Sequence, residues 1–225
     1  MGVQMQLVRR QYKYIGLCLL SCFSVSAAEP IVASSNDFIA FFLPDKYAQI
    51  DAALMAAELE IEHTILPVRR SLFMLSRGEI AIDTYRTPVA VADTENIVQL
   101  RPAVDSAEFW LVAASPERCE EAGQAYHNHS IVGIRGIRLF DSIYPAFKQY
   151  SATKNFSSAW KMLQAEHAYF SIWPRAVIEH FKEHGELVYT CGEKPYASFD
   201  FYSYINKDYA WAIPALERSY RQVFK

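Results

Sequence analysis

Long apolar runs are scarce in this 225-residue sequence, and so are glycine, cysteine and any excess of one charge. A membrane-spanning helix needs ~20 consecutive apolar residues, and no stretch supplies them. Eight glycines and ten prolines exclude collagen-like and low-complexity chains. A composition that is 52% hydrophobic and 21% charged excludes disorder. With 22 basic residues against 25 acidic ones, nothing marks a nucleic-acid or anionic-membrane surface. A Gly-x-Ser-x-Gly elbow, a phosphate-binding glycine loop and a His-Glu-x-x-His pair are missing too. What fits is one large domain or two lobes around a sizeable core, in a protein that is not an enzyme.

The first 28 residues read as a secretory signal peptide. Arg9, Arg10 and Lys13 precede the apolar stretch from Ile15 to Val25, and Ser26-Ala27-Ala28 supplies the small residues of a cleavage site. Leu19-Leu20-Ser21-Cys22 offers a second reading, a lipoprotein box with Cys22 lipidated. Removal of the segment takes away three basic residues, no acidic one, and Cys18 with Cys22. Cys119 and Cys191 remain, and in an oxidising compartment such a pair forms a bridge or stays as two buried thiols.

Beyond residue 28, strands and helices alternate. Strands are expected at Ile31–Asn36, Ile61–Leu66, Ile80–Tyr85 and Phe109–Ala114, with helices opening at Pro44 and Pro67. The polar stretch Ser115–Ser130 reads as a lobe boundary. After it come a strand at Ile131–Gly136, a helix around Phe140–Gln149, and a strand near Ser151–Thr153. A helix at Ser157–Glu166, a strand at Ala168–Trp173 and a helix at Arg175–His184 follow. Strands at Leu187–Cys191 and Phe199–Ile205 and a helix at Ala210–Phe224 complete the chain. The pattern predicts an α/β fold of two lobes with mostly parallel sheets and a cleft between them. One lobe would be 29–115 plus 198–225, the other 116–197.

Local wording narrows this further. Leu66-Pro-Val-Arg-Arg70-Ser-Leu72, then Gly78-Glu-Ile80 and Tyr85-Arg86, run in the order seen in family 3 solute-binding proteins. Val132-Gly-Ile-Arg-Gly136, Leu163 to Tyr169 and Phe201 to Lys207 continue the series through most of 30–225. The chain therefore resembles a short, divergent member of that amino-acid-binding family, with Ala81 where the family's turn carries aspartate. The resemblance implies the type 2 periplasmic-binding fold in a monomeric periplasmic protein. Such a protein captures a small polar or carboxylate-bearing solute for an inner-membrane transporter. The alternative is a degenerate binding fold serving as a sensory or protein-interaction module.

It also implies a site. In the family a first-lobe arginine holds the ligand carboxylate, and Arg86 matches best, then Arg70; a planar guanidinium fork suits that task. Pairing of Arg86 with Asp83 or Glu79 is the competing reading. Arg135 stands beside Gly136 as the second-lobe contact. Phe38, Tyr85, Trp110 and Trp173 fall near strand ends, where aromatic walls would enclose a ligand. His127-x-His129 and His180-x-x-x-His184 have ligand-compatible spacing, but no acidic or cysteine ligand joins either pair. No metal or other cofactor is expected.

Overall fold

A computed structural model describes residues 30–123 and 125–224. The expected signal peptide and Cys22 lie outside the described residues. The chain runs β1 (Ile31–Asn36), α1 (Asp37–Phe42), α2 (Pro44–Met55), β2 (Ile61–Leu66), α3 (Val68–Ser76) and β3 (Ile82–Arg86). Next come α4 (Pro88–Val91), β4 (Ile97–Gln99), β5 (Asp105–Ala113), α5 (Pro116–Ala122), β6 (Ser130–Ile134) and α6 (Arg138–Asp141). It continues with β7 (Gln149–Thr153), α7 (Phe156–Gln164), β8 (Ser171–Pro174) and α8 (Arg175–Glu183). β9 (Tyr189–Thr190), β10 (Ala197–Asn206) and α9 (Ile213–Val223) end it.

One sheet has the order β2-β1-β3-β10-β5-β8, with β4 beside β10 and β9 beside β5; β6 and β7 form a separate pair. β10 joins two lobes. Its first half, 197–201, pairs with β5, and its second half, 202–206, pairs with β3 and β4. β5, which precedes the polar stretch after Ser115, pairs with β8 and β9, which follow it.

The expectation of mostly parallel sheets is corrected. β1–β2, β1–β3 and β6–β7 are parallel, whereas every pairing of β5 and β10 is antiparallel. A strand leading into the second lobe and a neighbour leading back must run in opposite directions. Between β1 and α2 the chain forms α1, where the Asn36 side chain accepts from the Ile39 amide (3.1 Å) as its cap. One local expectation changes as well. The helix expected over Phe140–Gln149 is reduced to α6 and a short 3₁₀ turn containing Pro145, which a longer helix would not tolerate.

Each lobe has its own core. In the first, Ile39, Ile50, Leu54, Ile82 and Leu216 are buried between the sheet and α2 with α9. In the second, Phe156, Ala159, Trp160 and Leu163 form one stripe of α7 and meet Trp173 and Phe181. The bridge Cys119–Cys191 (Cα–Cα 4.9 Å) ties α5 to the residue after β9.

Two core tyrosines give the fold an alkaline limit. Tyr220 donates to Ser203 Oγ (2.9 Å) and Tyr204 to Gln99 Oε1 (3.1 Å). Burial pushes both hydroxyls up to about 12. In the unfolded chain they titrate near 10. A folded pKa raised above the unfolded one gives stability that is complete below pH 10 and lost as pH climbs towards 12. Denaturant melts from pH 8 to 12 should show that decline; a flat profile would contradict it.

Candidate functional site

The carboxyl ends of β1 and β3 face the second lobe, the position where ligands sit in open α/β sheets. A cavity of about 80 Å³ lies there. The first lobe contributes Phe38, Tyr85 and Arg86 to it, the second Ile137, Phe140 and Phe156. The lining is almost wholly apolar, and Phe109, Pro174 and Phe201 extend it. Contacts between lobes flank it. Arg138 Nη2 reaches Asp93 Oδ2 (3.4 Å), and Phe42 packs edge-on against Phe156 (5.6 Å) and His180 (5.2 Å).

The polar groups at this cavity are bound to the protein itself. Asn36 Nδ2 donates to the Tyr85 carbonyl (3.2 Å). Tyr85 lies flat on Phe201 (4.2 Å) and donates its hydroxyl to Asp105 Oδ2 (2.6 Å). Burial, with the Asp105 charge, raises that hydroxyl far above the ordinary tyrosine value, so it remains a donor. Arg86 gives Nε and Nη2 to Asp83 Oδ2, each at 2.8 Å, and Nη2 also meets the Val68 carbonyl. Asp83 is fully buried and takes a third donor, the Ser71 hydroxyl, which touches Ser34 Oγ at 3.0 Å. Asp83 is therefore the partner of Arg86, the competing reading of the sequence.

The other expected site residues separate. Phe38 and Tyr85 line the cavity, and Arg135 lines two open grooves beside it. Arg70 is exposed on α3, and its neighbour Arg69 is the one that lines both grooves. Trp173 is fully buried in the second-lobe core against Phe181 (4.9 Å), which leaves it no surface for a ligand. Trp110 lies under the Arg175 guanidinium (4.8 Å) and donates to Glu108 (3.2 Å). Strand alternation explains the displacement of both tryptophans. Trp110 and Trp173 are register partners, and so are Phe109 and Pro174. Neighbours along a strand face opposite sides, so Phe109 and Pro174 take the cavity face. Phe109 was available to sequence reading at one position's remove.

Two catalytic or metal readings are resolved by burial and distance. Asp51 Oδ1, His63 and Ser35 Oγ form a chain with 2.8 Å links, the arrangement of a hydrolytic triad. Ser35 is fully buried, and its hydroxyl also bonds Thr84 Oγ1 (2.6 Å), so it ties β1 to β2 and β3 and meets no substrate. Among the described residues no three His, Cys, Asp or Glu side chains converge on one point.

No family model matches the sequence, and no curated relative does. Solved structures do. The GluR0 ligand-binding core in complex with L-glutamate superposes with a TM-score of 0.68 at 13% identity, covering 88% of this chain and 93% of that one. The chain has the two-lobed fold of such binding domains. A truncated arginine-bound ArgBP from T. maritima (TM-score 0.64, 12% identity, 86% and 95% covered) shares this binding fold. So does the periplasmic VFT2 domain of Bordetella pertussis BvgS (TM-score 0.63, 13% identity, 85% and 86% covered).

Proposed function

We propose that the protein is a monomeric periplasmic solute-binding protein of the family 3 kind. Its lobes close on a small polar or carboxylate-bearing solute, which it passes to an inner-membrane transporter. The observation that carries this reading is the apolar cavity lined from both lobes at the carboxyl ends of β1 and β3. Its 80 Å³ is about half of the ~150 Å³ apolar cavity that admits benzene. The cavity is therefore too small for a ring, and the body of a larger solute lies in the open grooves beside it. The Cys119–Cys191 bridge supports an oxidising compartment.

A thermal-shift panel of amino acids and small carboxylates tests the reading. A solute at 100 times its Kd adds about 2.7 kcal/mol, a rise in Tm of about 5–10 °C at this chain length. Absence of any shift across the panel would overturn solute capture. One observation favours a second reading, a sensory or protein-interaction module: Arg86, the expected carboxylate anchor, is bound to Asp83. The likeness to the BvgS domain agrees with it.

A further inference from the structure

Six arginines of the described residues form ion pairs, namely Arg77, Arg86, Arg118, Arg138, Arg175 and Arg221. Arg69 and Arg135 pair with no carboxylate among the described residues, yet they stand on opposite lobes and line the same open groove of about 640 Å³. The approach is close. A Cβ on Gly136 would lie 2.6 Å from Arg69 Cδ, so the Arg69 stem crosses the cleft over bare backbone next to Arg135. Lys154 adds a third cation to this groove, and Asp37 is the one acidic residue lining it among those described. Four phenylalanines share the wall with aliphatic and small polar residues: Phe38, Phe42 and Phe156, with Phe41 left 65% exposed.

Two arginines on separate lobes that line one groove, neither paired with a carboxylate among the described residues, offer an anion a cationic partner on each side. Phe41 packs on Phe42 (4.8 Å) and His180 (5.3 Å) and still leaves apolar surface open beside the arginines. We propose that this groove binds an amphipathic organic anion, with its charged group between Arg69 and Arg135 and its apolar body on the phenylalanine wall. The proposal rests on the solute-capture reading and narrows it. A ligand bearing an ammonium group finds three cations here and one carboxylate, so the preferred solute carries no positive charge. The anion also links closure to occupancy, because it is held by one arginine from each lobe.

The test is calorimetric titration of the full chain with four probes: 3-phenylpropionate, 3-phenylpropylamine, L-phenylalanine and inorganic phosphate. Phenylpropionate should bind at least ten-fold more tightly than the other three. Its Kd should weaken at least ten-fold in Arg135→Gln and in Arg69→Gln, both at exposed positions, and weaken again as salt is raised. Gly136→Ala, checked for folding by circular dichroism, should show the same loss because its methyl group takes the path of Arg69. Equal binding of the amine or of L-phenylalanine, or a Kd unmoved by either arginine variant, overturns the charge assignment and leaves solute capture standing. Phosphate binding as tightly as phenylpropionate overturns the role of the aromatic wall. If no probe binds while another solute of the broader panel does, the proposal fails alone. If nothing binds at all, both readings fail.

Discussion

Replacing Arg86 with alanine should destabilise the protein by about 3–5 kcal/mol, because it leaves the carboxylate of Asp83 charged and enclosed. Asp83 has no exposed surface, and its Oδ1 has no partner among the described residues. Oδ2 carries the whole load, taking Nε and Nη2 of Arg86 and the Ser71 hydroxyl. Remove the guanidinium and only one neutral donor is left for a buried anion. At this chain length the expected fall in Tm is about 6–20 °C. Asp83→Ala together with Arg86→Ala should be more stable than Arg86→Ala alone, since a buried pair removed as a unit leaves no stranded charge. Urea melts of the two single variants and the double variant would settle it. An Arg86→Ala protein as stable as its parent would release Arg86 from the fold and return it to the ligand.

Loss of the disulfide should have an effect of similar size. Cys119 and Cys191 are 72 residues apart, and the loop they close holds β6 to β9 of the second lobe. In the chain-entropy account, a crosslink over such a loop stabilises by about 4 kcal/mol through the freedom it removes from the unfolded chain. The paired Cys119→Ser and Cys191→Ser variant should therefore melt about 8–16 °C below the parent. Because the effect lies in the unfolded state, the folded variant should keep its affinity for any solute found. Unchanged melting would show that the unfolded chain gains no freedom when the bridge is absent.

Much of the fold was legible because its elements carry their own signals. Pro44, Pro67 and Pro174 stand at helix starts, and α7 and α8 show apolar stripes at helical spacing. The direction of β5 and β10 was not legible, because strand pairing is decided by partners far away in sequence. α5 leaves no mark in the sequence because its run Pro-Glu-Arg-Cys-Glu-Glu-Ala has no apolar period. At the site, Phe38, Tyr85 and Arg135 were placed near the cleft from their strand-end positions. Phe109 was passed over for Trp110 because the whole run Phe109–Ala114 is apolar, so alternation left no mark of which side faces the cavity. The choice of Arg70 over Arg69 is the helical counterpart of that problem. Adjacent arginines point about 100° apart at 3.6 residues per turn, and only the burial of Ser71, Leu72 and Leu75 fixes which one turns to the cleft.

The sharing of β10 between lobes also sets an order of assembly for a chain that emerges from its amino end, whether from the ribosome or through a membrane. From β5 to β9 the second lobe is contiguous in sequence, so most of it is available for pairing before β10 is made. The first lobe has no such independence. β3 needs the second half of β10, α2 needs α9, and Ser219 of α9 donates to the Ala53 carbonyl. Until those last residues emerge, β3 presents an unpaired edge, the kind of surface that captures stray strands. The nascent protein is thus most exposed to misassociation in its earliest-made half, and the final helix is what ends that interval.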